Sequence, residues 1–355
     1  MQEAIDKLEK LERLMTKERK KKRKILLVGG AGYVGTVLTE YLLERGYHVR
    51  LLDLLVYNHD AAIKPFLAHE NFEFIYSDYG NANITETVLK DTTDIVFLAG
   101  LVGDYIAEKY PQASEIINEK GIINFLNRIN NKKLHKFIFI STCSNYGFVQ
   151  ENSAANENFE LKPLSRYAKA KVAVENYILS LKNKIDFIPT ILRFSTAFGL
   201  SSRMRFDLTV NQFTRDLYLE KTLEVYDAQT WRPYCHVLDF AKAIEMVLNA
   251  QDEKICFEVF NVGSDQNNFN KHMIIDEIKK YLPQSKIIYK EHGHDQRNYR
   301  VNFKKINDVL SFQALYPVSD GVAEVLTALK QGQFQDVEKI KNFYGNYTIH
   351  YVTNI

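Results

Sequence analysis

From Lys24 to Phe194 the chain repeats one unit, a short run of apolar or β-branched residues followed by a helix-length segment, and few folds accept that rhythm. The runs are KILLVGG, HVRLLDL, FEFIYSD, DIVFLAG and KFIFIST, and a further one, FIPTILRF, follows a helix expected over residues 163–182. Runs that are apolar on both faces need cover on both faces, which a parallel sheet flanked by helices supplies. The predicted fold is a Rossmann-type, doubly wound α/β sheet.

After Phe194 the rhythm loosens. Ser201 to Asp207 is polar and basic, Asp207 to Leu219 reads as helix, and Arg232-Pro233-Tyr234 breaks the chain before short strands and helices alternate irregularly. These shifts predict a first, doubly wound domain over residues 25–195, to which 237–262 returns, and a smaller α/β lobe built from 196–236 and 263–345. Residues 346–355 are expected to be a C-terminal tail. No low-complexity linker separates the lobes, so they are expected to pack against each other rather than swing.

The N-terminal 24 residues form a separate feature. They hold ten basic and five acidic residues, which leaves 36 basic against 39 acidic for the rest of the 355-residue chain. The overall charge of +2 therefore belongs to this extension, and the body lacks the positive field that nucleic acid requires. Ile5, Leu8, Leu11 and Met15 recur at helical spacing, so the extension reads as a basic helix, either solvated or docking a partner.

Composition excludes several classes. With 46% hydrophobic and 25% charged residues, the chain is neither fibrous nor wholly disordered. Cys143, Cys235 and Cys256 are an odd number without CxxC or zinc spacing, which predicts a reduced, cytoplasmic protein without a metal. No apolar stretch reaches the roughly 18 residues of a membrane span, and the charged N-terminus has no signal-peptide core.

Gly29, Gly32 and Gly35 form G-x-x-G-x-x-G between the first run and the first helix. Glycine suits a tight turn whose backbone must approach a pyrophosphate, with the helix N-terminus aiming amide donors at it. Asp53 closes the second run, where a carboxylate accepts from both ribose hydroxyls and repels a 2′-phosphate, so NAD is expected rather than NADP. Asp78 closes the third run and fits either an adenine contact or an ordinary turn.

Tyr167 and Lys171 form Y-x-x-x-K, which puts phenol and ammonium on one helix face. A free tyrosine is a poor base at neutral pH, and a fixed cation beside it would favour the phenolate. Ser141-Thr142-Cys143-Ser144-Asn145-Tyr146-Gly147 closes the fifth run at the carboxyl edge of the sheet, where open α/β folds bind ligands. Thr142 could there hold a substrate oxygen beside the tyrosine.

Together with Leu98-Ala99-Gly100, Asn118 with Gly121, and Trp231-Arg-Pro-Tyr-Cys-His-Val237, these pieces resemble the extended short-chain dehydrogenase/reductases of the nucleotide-sugar epimerase and dehydratase group. The resemblance runs from Lys24 to about Leu329. It implies that Tyr167 is the catalytic base, that Lys171 lowers its pKa and holds the nicotinamide ribose, and that Thr142 orients a sugar hydroxyl. Hydride then passes, usually from C4 of the sugar, to a tightly bound NAD. By the same resemblance Tyr33, Val34, Leu98, Ala99, Gly100, Tyr167 and Lys171 join Gly29, Gly32, Gly35, Asp53 and Asp78 around the cofactor. The substrate is expected against Val102, Thr142, Cys143, Ser144, Arg205, Asn211, Arg232, and Arg297 or Arg300. For Arg205, Asn211 and Met204, ordinary packing fits as well as binding, and Thr196 stands where the family often has asparagine.

Departures from the family pattern narrow the chemistry. Dehydratases carry an acidic pair directly after the threonine, and here Cys143 and Ser144 stand there, so water loss is disfavoured. What is left is oxidation at C4 followed by epimerisation or release, on a nucleoside-diphosphate sugar. GDP-linked manno-heptose or hexose from surface-polysaccharide pathways is the first expectation, then UDP-hexose. His236, His292 and His294 form no metal constellation. The resemblance also implies a homodimer through the helices after Leu101 and before Lys182. A different class, a non-catalytic NAD(H)-binding regulator whose basic extension docks a partner, competes with these expectations.

Overall fold

A computed structural model describes residues 23–130, 133–150, 153–291, 293 and 297–351. The helix expected within residues 1–24, apart from its last two residues, and His292 and His294 lie outside the described residues.

Twelve strands run in chain order among the described residues. They are β1 Lys24–Val28, β2 His48–Asp53, β3 Phe72–Tyr76, β4 Asp94–Phe97, β5 Lys136–Thr142 and β6 Ile188–Phe194, then β7 Thr196–Phe198, β8 Leu223–Tyr226, β9 Trp231–His236, β10 Glu258–Val262, β11 Asn268–Asn270 and β12 Ile287–Lys290. Seven of them form one parallel sheet in the order β10-β6-β5-β4-β1-β2-β3. The chain winds outward from β1 to β3, returns beside β1 as β4, and winds outward the other way. Loops after β1 and β4 therefore diverge and leave a crevice at the carboxyl edge, the place where such sheets take ligands.

Burial explains the apolar runs. Every residue of β4 and β5 is buried, because helices cover both faces. On one face the helices Tyr33–Glu44 and Val237–Asn249 close a core of Leu27, Leu38, Leu51, Ile138, Leu192, Phe240 and Phe260. On the other, Gly121–Ile129 and Arg166–Ser180 cover Leu26, Phe97, Phe125, Phe137 and Ile191. Ile117 and Leu126 belong to this second core, while Ile116 and Ile123 stay half-buried.

The smaller lobe has its own core. A three-stranded sheet, β11-β9-β7, and the parallel pair β12-β8 pack with the helices Thr209–Tyr218, Lys271–Lys279 and Val318–Lys330 around Phe198, Phe213, Val225, Tyr234, Ile274 and Val322. Beyond this lobe the chain turns back. Phe334, Phe343 and Tyr344 pack on Tyr33 and Phe206, and residues up to 351 run along the mouth of the crevice. The segment expected as a tail is thus packed onto the first domain as far as Tyr351. No helix among the described residues is long and apolar enough to cross a membrane.

Candidate active site

One cavity of about 380 Å³ opens at the carboxyl edge, between the large sheet and the smaller lobe. The glycine turn forms its floor. Gly29 has φ +77°, and a Cβ there would lie 2.4 Å from the Ala99 Cα, so the β1 and β4 loops touch only because the side chain is missing. A Cβ on Gly35 would lie 2.3 Å from the Gly30 oxygen, which lets the first helix start against the turn. Gly32 caps that helix without a side-chain hydrogen bond, leaving its first amides aimed at the cavity mouth.

Asp53 ends β2 at the cavity wall. Its carboxylate accepts from the Ala31 amide at 3.0 Å and the Leu55 amide at 2.8 Å, which fixes its orientation and leaves lone pairs for further donors. Burial pushes its pKa up, against the pull of those amides and of Arg203. Asp78 lines the cavity with an oxygen held by the Gly80 amide at 2.7 Å. Tyr33, Val34, Leu98, Gly100 and Val102 also line it. Tyr33 is locked, its hydroxyl donating to the Gly199 carbonyl at 2.6 Å.

Thr142, Ser144, Tyr167 and Lys171 line the same cavity from β5 and the helix Arg166–Ser180. Thr142 caps a short 3-10 turn, its Oγ1 accepting from the Ser144 amide at 3.1 Å, so the hydroxyl hydrogen can still donate. The Ser144 hydroxyl pairs with the Tyr299 hydroxyl at 3.1 Å. Lys171 Nζ donates to the Ile140 carbonyl at 2.8 Å and lies 5.8 Å from the Tyr167 ring centroid. Burial pushes Lys171 down to about 7, against the opposing charge of Glu175. Burial, reinforced by the charge of Asp104, holds the Tyr167 phenol well above its ordinary pKa. Desolvation thus acts on both groups, raising the phenol and lowering the ammonium.

Beneath these residues lies a buried polar network. Arg193 on β6 forms an ion pair with Glu175 at 2.7 Å, Ser141 donates to the same carboxylate, and Asn145 adds a bond of 2.8 Å. This network fixes the end of β5 against the helix that carries Tyr167 and Lys171.

The structure takes three expected substrate residues out of the cavity. Cys143 is buried in the core with its thiol on the Arg193 carbonyl at 3.2 Å, because the turn after Thr142 rotates it inward. Asn211 is buried between the Gly199 amide, the Tyr33 hydroxyl and the Arg205 carbonyl, where it braces the lobe. Arg300 lies 5.0 Å from the Trp231 ring centroid and does not line the cavity. Met204 is likewise buried beside Tyr33. His236 caps its helix through Nδ1 and meets Glu324 at 2.7 Å through Nε2, a structural setting.

Arg205, Arg232 and Arg297 do line the cavity, and Thr196 lines it too. Arg205 is paired in two-pronged fashion with Asp207 at 2.6 and 2.8 Å, and Arg297 with Asp104 at 2.7 Å. Arg232 lies 5.1 Å from the Tyr299 ring centroid. Sequence reasoning missed Asp104, Tyr299, Arg203, Tyr57 and His59. Asp104 stands two residues after Val102 at a helix start, a signal the spacing offered; the others are brought in by loops with no motif.

Residues 25–263 match the family described as the NAD dependent epimerase/dehydratase family. A putative UDP-glucose 4-epimerase of Methanocaldococcus jannaschii is 27% identical over 72% of this chain and 81% of its own. The UDP-glucuronate 4-epimerase of Thermodesulfobacterium geofontis is 22% identical over 89% of this chain and 98% of its own. The structure of UDP-glucuronic acid 4-epimerase from Bacillus cereus, in complex with UDP-glucuronic acid and NAD, superposes with TM-score 0.76. It is 24% identical, covering 87% of this chain and 99% of that one.

Proposed function

Because the chain belongs to the NAD-dependent epimerase/dehydratase family, we propose that it oxidises C4 of a nucleoside-diphosphate sugar and acts as a 4-epimerase or 4-dehydrogenase without removing water. Family membership makes it an NAD-dependent enzyme of nucleotide-sugar chemistry, which sets aside the non-catalytic regulator. The observation that carries the reading is the pair of positions after Thr142. Cys143 is turned into the core, and the Ser144 hydroxyl is occupied by Tyr299, so no acid follows Thr142 to protonate a departing hydroxyl.

The residues fit NAD. The Gly29 cradle admits only backbone, the first helix aims free amides at the mouth, and Asp53 has lone pairs for ribose hydroxyls. Gly29, Gly32, Tyr33, Val34, Gly35, Asp53, Asp78, Leu98, Ala99, Gly100 and Lys171 would hold it. Bound there, it would supply a reversible hydride acceptor for the sugar carbon.

Tyr167 takes the proton of the C4 hydroxyl, and Thr142 donates to that oxygen to hold it in reach. Loss of O–H and C–H together leaves a C4 ketone. Burial disfavours the Tyr167 phenolate and the Lys171 ammonium separately, but as a pair they are neutral and each offsets the other's desolvation. Arg232 and Arg297 would take the diphosphate, since planar guanidinium matches paired phosphate oxygens. Two copies of the chain are expected to pair, by the family resemblance.

GDP-linked manno-heptose or hexose and UDP-hexose fit this reading equally, and the names of the relatives bring UDP-glucose and UDP-glucuronate into the test. The purified protein is incubated with UDP-glucose, UDP-glucuronate and GDP-mannose, and the sugars are followed by proton NMR. A C4 epimer or a 4-keto sugar is expected from at least one. A 4-keto-6-deoxy product would overturn the reading.

A further inference from the structure

Residues 342–351 run across the end of the cavity where β2 and β3 finish. The His350 amide donates to the Val56 carbonyl at 3.0 Å, and Asn342 Nδ2 to the Tyr57 carbonyl at 3.2 Å. Asn346 Nδ2 donates to the Val102 carbonyl at 2.9 Å. Ile349, only 8% exposed, is buried in the same apolar cluster as Leu52 and Tyr57. Tyr351 lines the cavity beside Asp78, whose charge, after burial, raises the phenol's pKa. Residues 342–351 themselves lie beyond the residues matched to the family.

Arg203 ties this segment down. It is 1% exposed, and its guanidinium donates to the carbonyls of Asn342 and Gly345 and to the side chain of Asn346, at 3.0–3.2 Å. Its other face lies 5.2 Å from the Tyr57 ring centroid. Asp207, already paired with Arg205, accepts the Asn346 amide at 3.2 Å. One buried arginine thus joins the loop after β2, the loop leading into the smaller lobe, and the C-terminal segment.

A second observation points to a ligand under this segment. Tyr57 Oη, His59 Nδ1 and Arg203 Nε are buried without a hydrogen-bond partner among the described residues. The three residues are 7%, 2% and 1% exposed, and all line the cavity along with Asp53. Buried polar atoms are rarely orphaned in a finished site, because each costs the desolvation of its group.

We propose that residues 342–351 form a strap over the adenosine end of the NAD site, latched by Arg203, so that the cofactor leaves only when the strap lifts. The orphaned atoms of Tyr57, His59 and Arg203 face polar atoms of the adenosine half or its phosphates, and Tyr351 with Asp78 closes the outer side. A cofactor held in this way is reoxidised in place, as epimerisation requires and net dehydrogenation does not. The proposal rests on the NAD assignment above.

The test is the rate at which bound NAD exchanges with excess isotopically labelled NAD, read by mass spectrometry of the nucleotide released on denaturing the protein. The full chain is compared with a chain ending at Lys341 and with the double variant Asn346→Ala, Tyr351→Ala. Losing one or two hydrogen bonds that hold the closed strap should speed exchange by about tenfold in the double variant, and by more in the shortened chain. Equal exchange rates in the full chain and the folded variants would overturn the strap. If the shortened chain does not fold, the double variant decides alone. A full chain that binds no NAD at all would instead overturn the cofactor assignment, and the strap with it.

Discussion

Lys171 Nζ donates to the carbonyl of Ile140 at 2.8 Å, so its ammonium is tied to β5 rather than to the phenol of Tyr167 four residues earlier. The lysine is enclosed there, and burial lowers its pKa to about 7 from the ordinary 10.5, against the opposing charge of Glu175. This gives residue 171 a measurable effect on stability. Between pH 7 and 10.5 the unfolded cofactor-free chain keeps a proton that the folded chain has released, so stability rises with pH through that window. Lys171→Met removes the effect. The Tm advantage of that variant over the parent should be largest at or below pH 7 and shrink toward pH 10, as measured by thermal melts; a constant difference would contradict the burial of a charge at this site.

Tyr167→Phe keeps the ring in its buried position and removes only the hydroxyl that takes the proton. Turnover should fall by about 10²–10⁴-fold while NAD stays bound. Steady-state kinetics with released-nucleotide analysis checks both halves, and loss of NAD would show that the hydroxyl serves binding instead.

Glu175→Ala leaves the Arg193 guanidinium buried without its partner, and takes acceptors from Ser141 and Asn145. Breaking a buried pair from one side costs about 3–5 kcal/mol. Urea unfolding should show a loss in that range with little change in m, and Arg193→Lys with Glu175 in place should also lose stability, since an ammonium cannot reproduce the paired guanidinium bonds.

Gly29→Ala places a Cβ 2.4 Å from the Ala99 Cα at φ +77°. The strained backbone alone costs about 1–3 kcal/mol, and the β1 and β4 loops must part to relieve the clash. The variant should both melt lower and lose NAD. A folded variant that retains NAD would show that the turn is more yielding than its geometry.

The sheet was legible in the sequence because a parallel strand covered on both sides has to be apolar on both sides, and KILLV and KFIFI carry that requirement within five residues. The Tyr167 and Lys171 pair was legible for a similar reason, since four residues of helix bring side chains to one face. Cys143 and Asn211 were misplaced for a shared reason: spacing shows where the backbone goes but not which way a residue at a turn or on a bracing helix points. The 3-10 turn after Thr142 decides the first, and the lobe packing around Tyr33 decides the second.

What the sequence determined by itself was therefore the local part: the alternating sheet, the glycine turn, the acid ending β2, and the helical tyrosine and lysine, all set by backbone geometry over a few residues. Only the tertiary structure put Arg297 rather than Arg300 on the cavity wall, beside Asp104 on a distant helix, and only it brought Arg203 under residues 342–351. Such contacts join segments far apart in the chain, and no periodicity records them. They form when the two lobes close on each other and buried polar groups find whichever partners that closure brings within reach.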